Sequence, residues 1–170
     1  MTLLSVRNLR VSFDTEAGLV EAVRGVSFEL GRERLGIVGE SGSGKTMTGR
    51  SVLRLIRPPG RIEADEMRFD GIDLMAASER DMRALRGPRM AMIMQDPKFS
   101  LNPVMRVGAQ LTEGLRLRDR LSAADARRKA VAALEAVQIR DPERVMEAYP
   151  HELSGGMGQR AMIAMMLIPD

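Results

Sequence analysis

The sequence predicts an α/β fold: a mixed sheet carrying a helical segment from about residue 97 to 155. Three observations predict it. The first thirty residues alternate apolar and polar side chains at nearly the strand period. A short, unbroken apolar run, Leu35-Gly36-Ile37-Val38, ends in a glycine-rich loop, and a helical pattern begins near Thr46. After Gln95 the apolar spacing becomes that of helices.

Taken in order, Leu4, Val6, Leu9, Val11 and Phe13 form a strand with one slip in its period. Asp14-Thr15-Glu16-Ala17-Gly18 has turn chemistry, and Val23, Val26, Phe28 and Leu30 mark a second, antiparallel strand. Gly31-Arg32-Glu33 turns the chain again. Leu35–Val38 reads as a strand buried on both faces. The helix from Thr46 is predicted to run toward Ile56 and to stop at Pro58-Pro59-Gly60. Ile62 to Phe69 is strand-like, and Asp70-Gly71 is a turn. Ser78 with Asp81 is a capping-box variant, opening a helix that runs to about Arg86. Met90-Ala91-Met92-Ile93-Met94 reads as another buried strand, and Asp96 to Pro103 as loop. One helix is predicted near Val107–Leu117. A second starts at Ser122 with Asp125 in its first turn, and carries Ala126, Ala130, Ala133, Leu134 and Val137. A third begins at Asp141-Pro142, with proline at the first helical position. Pro150 breaks the chain, and Leu153-Ser154-Gly155-Gly156 leads into a last apolar helix.

Composition narrows the function. A chain of 170 residues and 18.8 kDa suits one modest domain, and 44% hydrophobic with 29% charged residues is ordinary globular usage. Aromatic residues make up 3%, with no Trp, so stacking on nucleic-acid bases is poorly provided for. The absence of cysteine excludes disulfides, thiolate metal sites and Cys nucleophiles from this sequence. His151 is the single histidine, which leaves no multi-His metal site. No apolar run is long enough to span a membrane, and the first residues lack a signal-peptide layout, so the expected location is cytoplasmic. Net charge is +3, with the excess in the second half: Arg116, Arg118, Arg120, Arg127, Arg128 and Lys129 face only Asp119 and Asp125 nearby. Such a cluster suits nucleic acid, a membrane surface or a solvated helical face, and the solvated face is the usual case.

Gly39-Glu40-Ser41-Gly42-Ser43-Gly44-Lys45-Thr46 matches the phosphate-loop pattern G-x-x-x-x-G-K-[ST]. A phosphate chain needs many compact donors, and backbone amides supply them where glycines let the loop curl. The following helix adds its unpaired N-terminal amides and positive dipole end. Lys45 then reaches the β- and γ-phosphates, and the Thr46 hydroxyl is placed for Mg²⁺. The pattern specifies nucleotide binding without specifying a reaction. Leu153-Ser154-Gly155-Gly156-Met157 opens a second glycine-led helix, read either as an N-cap or as a second anion site.

In combination these motifs resemble the ATP-binding subunit of an ABC transporter, in the dipeptide, oligopeptide and nickel importer group. The resemblance rests on the phosphate loop, Gln95-Asp96-Pro97, Ser100-Leu101-Asn102-Pro103, and Tyr149-Pro150-His151-Glu152-Leu153-Ser154-Gly155-Gly156-Met157, in order along nearly the whole chain. It implies a P-loop NTPase of ABC type, with a parallel core sheet, an N-terminal antiparallel β-subdomain and an inserted helical subdomain. The implied domains are a core over 1–96, a helical subdomain over 97–155 and a signature helix over 156–170. Phe13 corresponds to the aromatic that stacks on adenine, with a plain core strand residue as the lesser alternative. Gly39, Ser41, Gly42, Ser43, Gly44, Lys45 and Thr46 hold the phosphates of ATP. Gln95 approaches Mg²⁺, as Thr46 does, and the attacking water. Ser154, Gly155 and Gly156 close over ATP held by a second ATP-binding subunit, identical or different. A single histidine cannot form a metal site, so His151 reads as structural or loop-positioning.

The resemblance also implies transmembrane permease subunits as partners, no direct nucleic-acid contact, and a peripheral place on the inner face of the cell membrane. Gly158 stands where the family more often has a basic residue. The family's Walker B aspartate and catalytic glutamate follow the signature helix and are not in this sequence, so the expectation is a chain truncated there, binding ATP without efficient hydrolysis. The alternative is a soluble ABC-type ATPase acting on nucleic acid. Such proteins place long coiled-coil heptads between the two motifs, whereas 107 residues without sustained heptads separate Thr46 from Ser154 here.

Overall fold

β1 (Leu4–Thr15) is the spine of the first of two compact units, Met1–Met90 and Ala91–Asp170. The computed structural model describes residues 2–94 and 100–168. β1 pairs antiparallel with β2 (Gly18–Leu30) on one side. On the other it pairs with β3 (Gly60–Glu63) and β4 (Glu66–Phe69), and β4 pairs in turn with β5 (Ile72–Asp73).

The slip in the apolar period of β1 is a β-bulge. Val6 lies opposite Phe28 but Leu9 lies opposite Val26, so β1 spends three residues where β2 spends two. Asn8 absorbs the extra residue with φ 50, a left-handed conformation that asparagine tolerates. Its amide donates to Ser27 Oγ at 2.8 Å and its side chain donates to Asp65 at 3.2 Å. Gly25, at φ +84, faces it across the ladder, where a Cβ would stand 2.9 Å from Asn8 Oδ1. Leu9 faces Val26 and Arg10 faces Arg24, so Gly25 is in turn an extra residue on β2 that restores the register, and Val6, Leu9 and Val11 are all buried.

The same kink divides the strand predicted over Ile62–Phe69. Arg10 faces Glu63 and Arg7 faces Glu66, one continuous register interrupted opposite Asn8, where Asp65 N–H donates to Arg7 O at 3.0 Å. The turns follow their chemistry. Glu16 and Ala17 close the first hairpin between the paired Thr15 and Gly18. Asp70 (φ 47) and Gly71 (φ 79) close the β4–β5 hairpin with both residues left-handed, as a two-residue type I′ turn requires.

α1 (Lys45–Val52) ends earlier than Ile56, because Arg54 turns left-handed at φ 50 and stops the helix. α2 (Glu79–Leu85) carries the full capping box, with Ser78 accepting from Asp81 N–H and Asp81 accepting from Ser78 N–H. Met67, Leu74 and Met82 are fully buried with Leu53, Phe69 and Leu85 in the core of this unit.

Two sequence expectations fail here. Leu35–Val38 is no buried strand: it pairs with nothing among the described residues, and Leu35, Ile37 and Val38 are 45%, 49% and 93% exposed. Met90–Met94 likewise forms no ladder beyond one bridge from Arg86 to Met90, and Ile93 is 47% exposed. An apolar run becomes a strand only where a neighbour accepts its backbone hydrogen bonds, and the described ladders are all antiparallel ones built on β1 and β4.

In the second unit the predicted helices form as read: α3 (Val107–Leu117), α4 (Ala123–Ala136) capped by Ser122, α5 (Pro142–Glu147) capped by Asp141, and α6 (Gly155–Leu167) capped by Ser154. Their common core is Val107, Leu111, Leu115, Ala126, Ala130, Leu134, Val145 and Met146, closed by Ala161 and Ala164 of α6. The basic stretch is a solvated face: Arg116, Arg118, Arg120, Arg127, Arg128 and Lys129 are all exposed. Arg118 pairs with Asp119, Arg128 with Asp125, and Arg127 with Glu143 and Glu147.

α3 approaches the end of α5 closely at Gly108, where a Cβ would stand 2.6 Å from Met146 O. Gly108→Ala is expected to destabilise this unit by roughly 1–3 kcal/mol through overpacking, outweighing the gain of up to about 1 kcal/mol from helix propensity. Denaturant unfolding of the two proteins checks it. Hydrogen bonds from Arg127 and then Arg106 hold the Glu147 carboxyl below the usual carboxylate range. A lowered folded pKa means the bridge contributes at neutral pH and is lost as pH falls through that value. Glu147→Gln should therefore flatten this acid-side decline in a pH series of thermal melts.

Candidate nucleotide site

The phosphate loop is seated on a third irregularity of the hairpin. Val11 faces Val23 and Ser12 faces Glu21, so Ala22 is an extra residue on β2, outside the ladder. Gly44 lies against it: a Cβ there would meet the Ala22 carbonyl oxygen at 2.5 Å and Val23 Cγ2 at 3.2 Å. Gly44 is also the N-cap of α1 at φ +92. Only glycine meets both demands, the left-handed backbone and the missing Cβ. Gly42 takes φ +84 in open space, and Ser43 N–H donates to Glu40 O at 3.2 Å, which closes the loop into a turn. At Gly39 a Cβ would stand 2.6 Å from Ser43 Oγ.

Lys45, the first residue of α1, folds over the loop. Its Nζ donates to Gly39 O at 2.7 Å, Glu40 O at 2.5 Å and Ser43 Oγ at 3.3 Å. The ammonium therefore stands at the rim of the loop, with all three donors on acceptors of the loop itself. Thr46 is exposed on the first turn of α1, and Ser41, Gly42 and Ser43 are exposed around the rim. A left-handed glycine pair, a helix N-terminus and the Lys45 ammonium fit an anionic phosphate chain. The exposed Thr46 side chain offers a hydroxyl, which fits a hard cation such as Mg²⁺.

Phe13 borders the same stretch of hairpin. It faces Val20 of β2 and Gly60 of β3, two positions along β1 from Val11, whose partner Val23 touches the Gly44 position. The ring is half-buried, and a Cβ at Gly60 would lie 2.6 Å from its Cε1. Its position thus serves packing on β3 while leaving part of the ring exposed.

In the second unit Ser154 caps α6, its hydroxyl accepting from Met157 N–H at 3.3 Å. Ser154, Gly155 and Gly156 are exposed, and a Cβ at either glycine would meet nothing within 4 Å. Ser154 and Gly155 border a cavity of about 550 Å³ lined also by Leu101, Pro103, Pro150, His151 and Leu153. Gly158, the residue that departs from the family pattern, is buried against this cavity. His151 stacks on Tyr149 with ring centroids 5.6 Å apart, and Arg106 lies 5.9 Å from the Tyr149 ring while pairing with Glu147. Gln95 lies outside the described residues. Sequence reasoning missed the Ala22 bulge and this Arg106–Tyr149–His151 brace. Neither has a local signature, because each depends on residues distant in sequence.

Comparison with known proteins agrees with this geometry. Residues 23–170 match the family model described as ABC transporter, and the chain belongs to that family. The oligopeptide transport ATP-binding protein OppD of Bacillus subtilis is 48% identical over 167 residues, covering 97% of this chain and 47% of the relative. The dipeptide transport ATP-binding protein DppD of the same organism is 45% identical over 172 residues, covering 99% and 51%. The chain thus spans about half the length of the curated relatives it matches. The post-hydrolysis dimer of the ATP-binding cassette MJ0796, bound to ADP and Pi, superposes with a TM-score of 0.84 at 24% identity, over 98% of this chain and 69% of that one. The fold is therefore that of ABC ATPase cassettes. Among the described residues, no helix is long and apolar enough to cross a membrane.

The two loop glycines are expected to respond differently to alanine. Gly42→Ala meets only backbone strain, roughly 1–2 kcal/mol. Gly44→Ala adds a clash with the Ala22 carbonyl and should unseat the start of α1. Amide hydrogen exchange over Gly42–Thr46 distinguishes them, with the larger loss of protection in Gly44→Ala.

Proposed function

We propose that this chain is the ATP-binding part of an ABC importer for peptides or related small solutes, coupling ATP binding and hydrolysis to transport through a membrane permease. The observation that carries the reading is the complete phosphate loop seated on the Ala22 bulge, with Lys45 at its rim. Identity of 44–49% to peptide-import ATP-binding proteins supports the substrate class. In this reading Gly39, Ser41, Gly42, Ser43 and Gly44 present amides to the phosphates, and Lys45 exchanges its carbonyl partners for phosphate oxygens. Thr46 and Gln95 hold Mg²⁺, and Phe13 stacks on adenine. Bound Mg²⁺ supplies charge neutralisation at the β- and γ-phosphates. Gln95 is assigned to the attacking water as well.

Ser154, Gly155 and Gly156 are assigned to the ATP of a second ATP-binding subunit, identical or different. Their exposure and the open space over both glycines support an intermolecular role. The division into a core over 1–96, a helical subdomain over 97–155 and a signature helix over 156–170 belongs to the same reading. So does a peripheral position on the inner face of the cell membrane. The residues assigned here cradle phosphate and hold Mg²⁺ but include no carboxylate to activate water, so this 170-residue chain is proposed to bind ATP without sustained turnover.

Calorimetric titration with MgATP tests the reading. Lys45→Ala is expected to weaken binding by at least about tenfold, since charge-assisted hydrogen bonds contribute ~1.5–3 kcal/mol each. Equal affinity in both proteins would refute the assignment. A nucleic-acid role would instead show as salt-resistant binding of a single-stranded oligonucleotide, which the solvated basic face does not provide for.

A further inference from the structure

α1 is thinly anchored along its length. Its buried residues are Thr48 and Ser51, both polar, and both hydroxyls turn back onto carbonyls of the helix start or the preceding turn, Gly44 O at 3.1 Å and Met47 O at 2.7 Å. Among the described residues its apolar side chains, Met47 and Val52, are only half-buried, so the two ends contribute much of its anchoring. The N-terminal end is the Gly44 seat on Ala22.

The C-terminal end is closed by a Schellman motif: Leu55 N–H donates to Arg50 O and Arg54 N–H to Ser51 O, each at 2.8 Å. Arg54 holds the left-handed position of that motif, where glycine is usual. Its side chain shows what an arginine does there: Arg54 NH1 donates to Leu74 O at 3.1 Å and to Ala77 O, tying the helix end to the segment between β5 and α2. A second arginine reaches back from the end of α2. Arg86 Nε donates to Leu53 O at 2.7 Å and its NH2 to Arg54 O at 3.2 Å, while Glu79 Oε1 accepts from NH1 at 2.6 Å. The Arg86 guanidinium thus completes hydrogen bonding at the helix terminus and places positive charge at its negative dipole end, while Arg54 ties that end to the β5–α2 segment. The planar fork of Arg86 sets a direction that a lysine does not. Eight residues of helix span about 12 Å, so a shift at this end is passed to Lys45 and Thr46.

We infer that Arg54 and Arg86 form a clamp on the C-terminal end of the phosphate-loop helix and act as positioning residues for phosphate binding. The inference rests on the nucleotide-binding reading above.

The test uses the whole chain carrying Arg86→Met, which keeps the aliphatic stem, Arg86→Lys, and Arg54→Gly, which suits the left-handed backbone and removes only the side-chain bridge. MgATP and tripolyphosphate are titrated, and amide exchange is followed without ligand. Arg86→Met is expected to weaken both ligands about tenfold, as the loss of charged hydrogen bonds implies, with faster exchange confined to Gly42–Met47 and partial recovery in Arg86→Lys. Arg54→Gly should shift both readouts in the same direction, and it carries the test if Arg86→Met fails to fold. Unchanged affinity and loop exchange in the folded variants overturns the clamp, as does faster exchange spread evenly over the β1–β2 hairpin. Failure of the unsubstituted chain to bind either ligand would refute the nucleotide reading instead, while loop exchange still decides the clamp.

Discussion

The approach of Gly44 to the Ala22 carbonyl is the contact on which the first unit depends. It holds a loop rich in backbone donors against a rigid hairpin with no side chain between them, and it starts α1 at that point. The hairpin permits it because Ala22 stands outside the ladder. A phosphate loop owes its affinity to preset amides, and here the preset comes from a strand irregularity some twenty residues away in sequence.

The bulges at Asn8 and Ala22 have separate consequences. The one at Asn8 turns β1 enough to break its outer partner into β3 and β4 without changing register. It keeps Val6, Leu9 and Val11 on the core side across the slip. The one at Ala22 serves the loop. Both trade a ladder hydrogen bond for a local geometry that a regular strand does not have.

The helical unit obeys simpler rules. α4, α5 and α6 are capped by side chains accepting from backbone amides three positions on, the core of the unit is apolar, and its charged face is paired and solvated. Ser154 obeys the same capping rule, so the proposed signature contact is presented by an ordinary helix start with two open glycines.

Local rules made much of this legible in the sequence. The capping box at Ser78–Asp81, the Asp141-Pro142 start, the Asp70-Gly71 turn, the limits of α3 and the phosphate loop follow from residues within a few positions of one another, where a backbone preference and one side chain suffice. Leu35–Val38 and Met90–Met94 were misread, because hydropathy reports what a segment can bury and not whether a neighbour pairs with it. The Ala22 seat, the single register of β3 and β4, and the grip of Arg54 and Arg86 on α1 were decided by the tertiary structure alone. Each joins backbone groups distant in sequence, and a backbone carbonyl carries no mark in the sequence of which side chain will reach it.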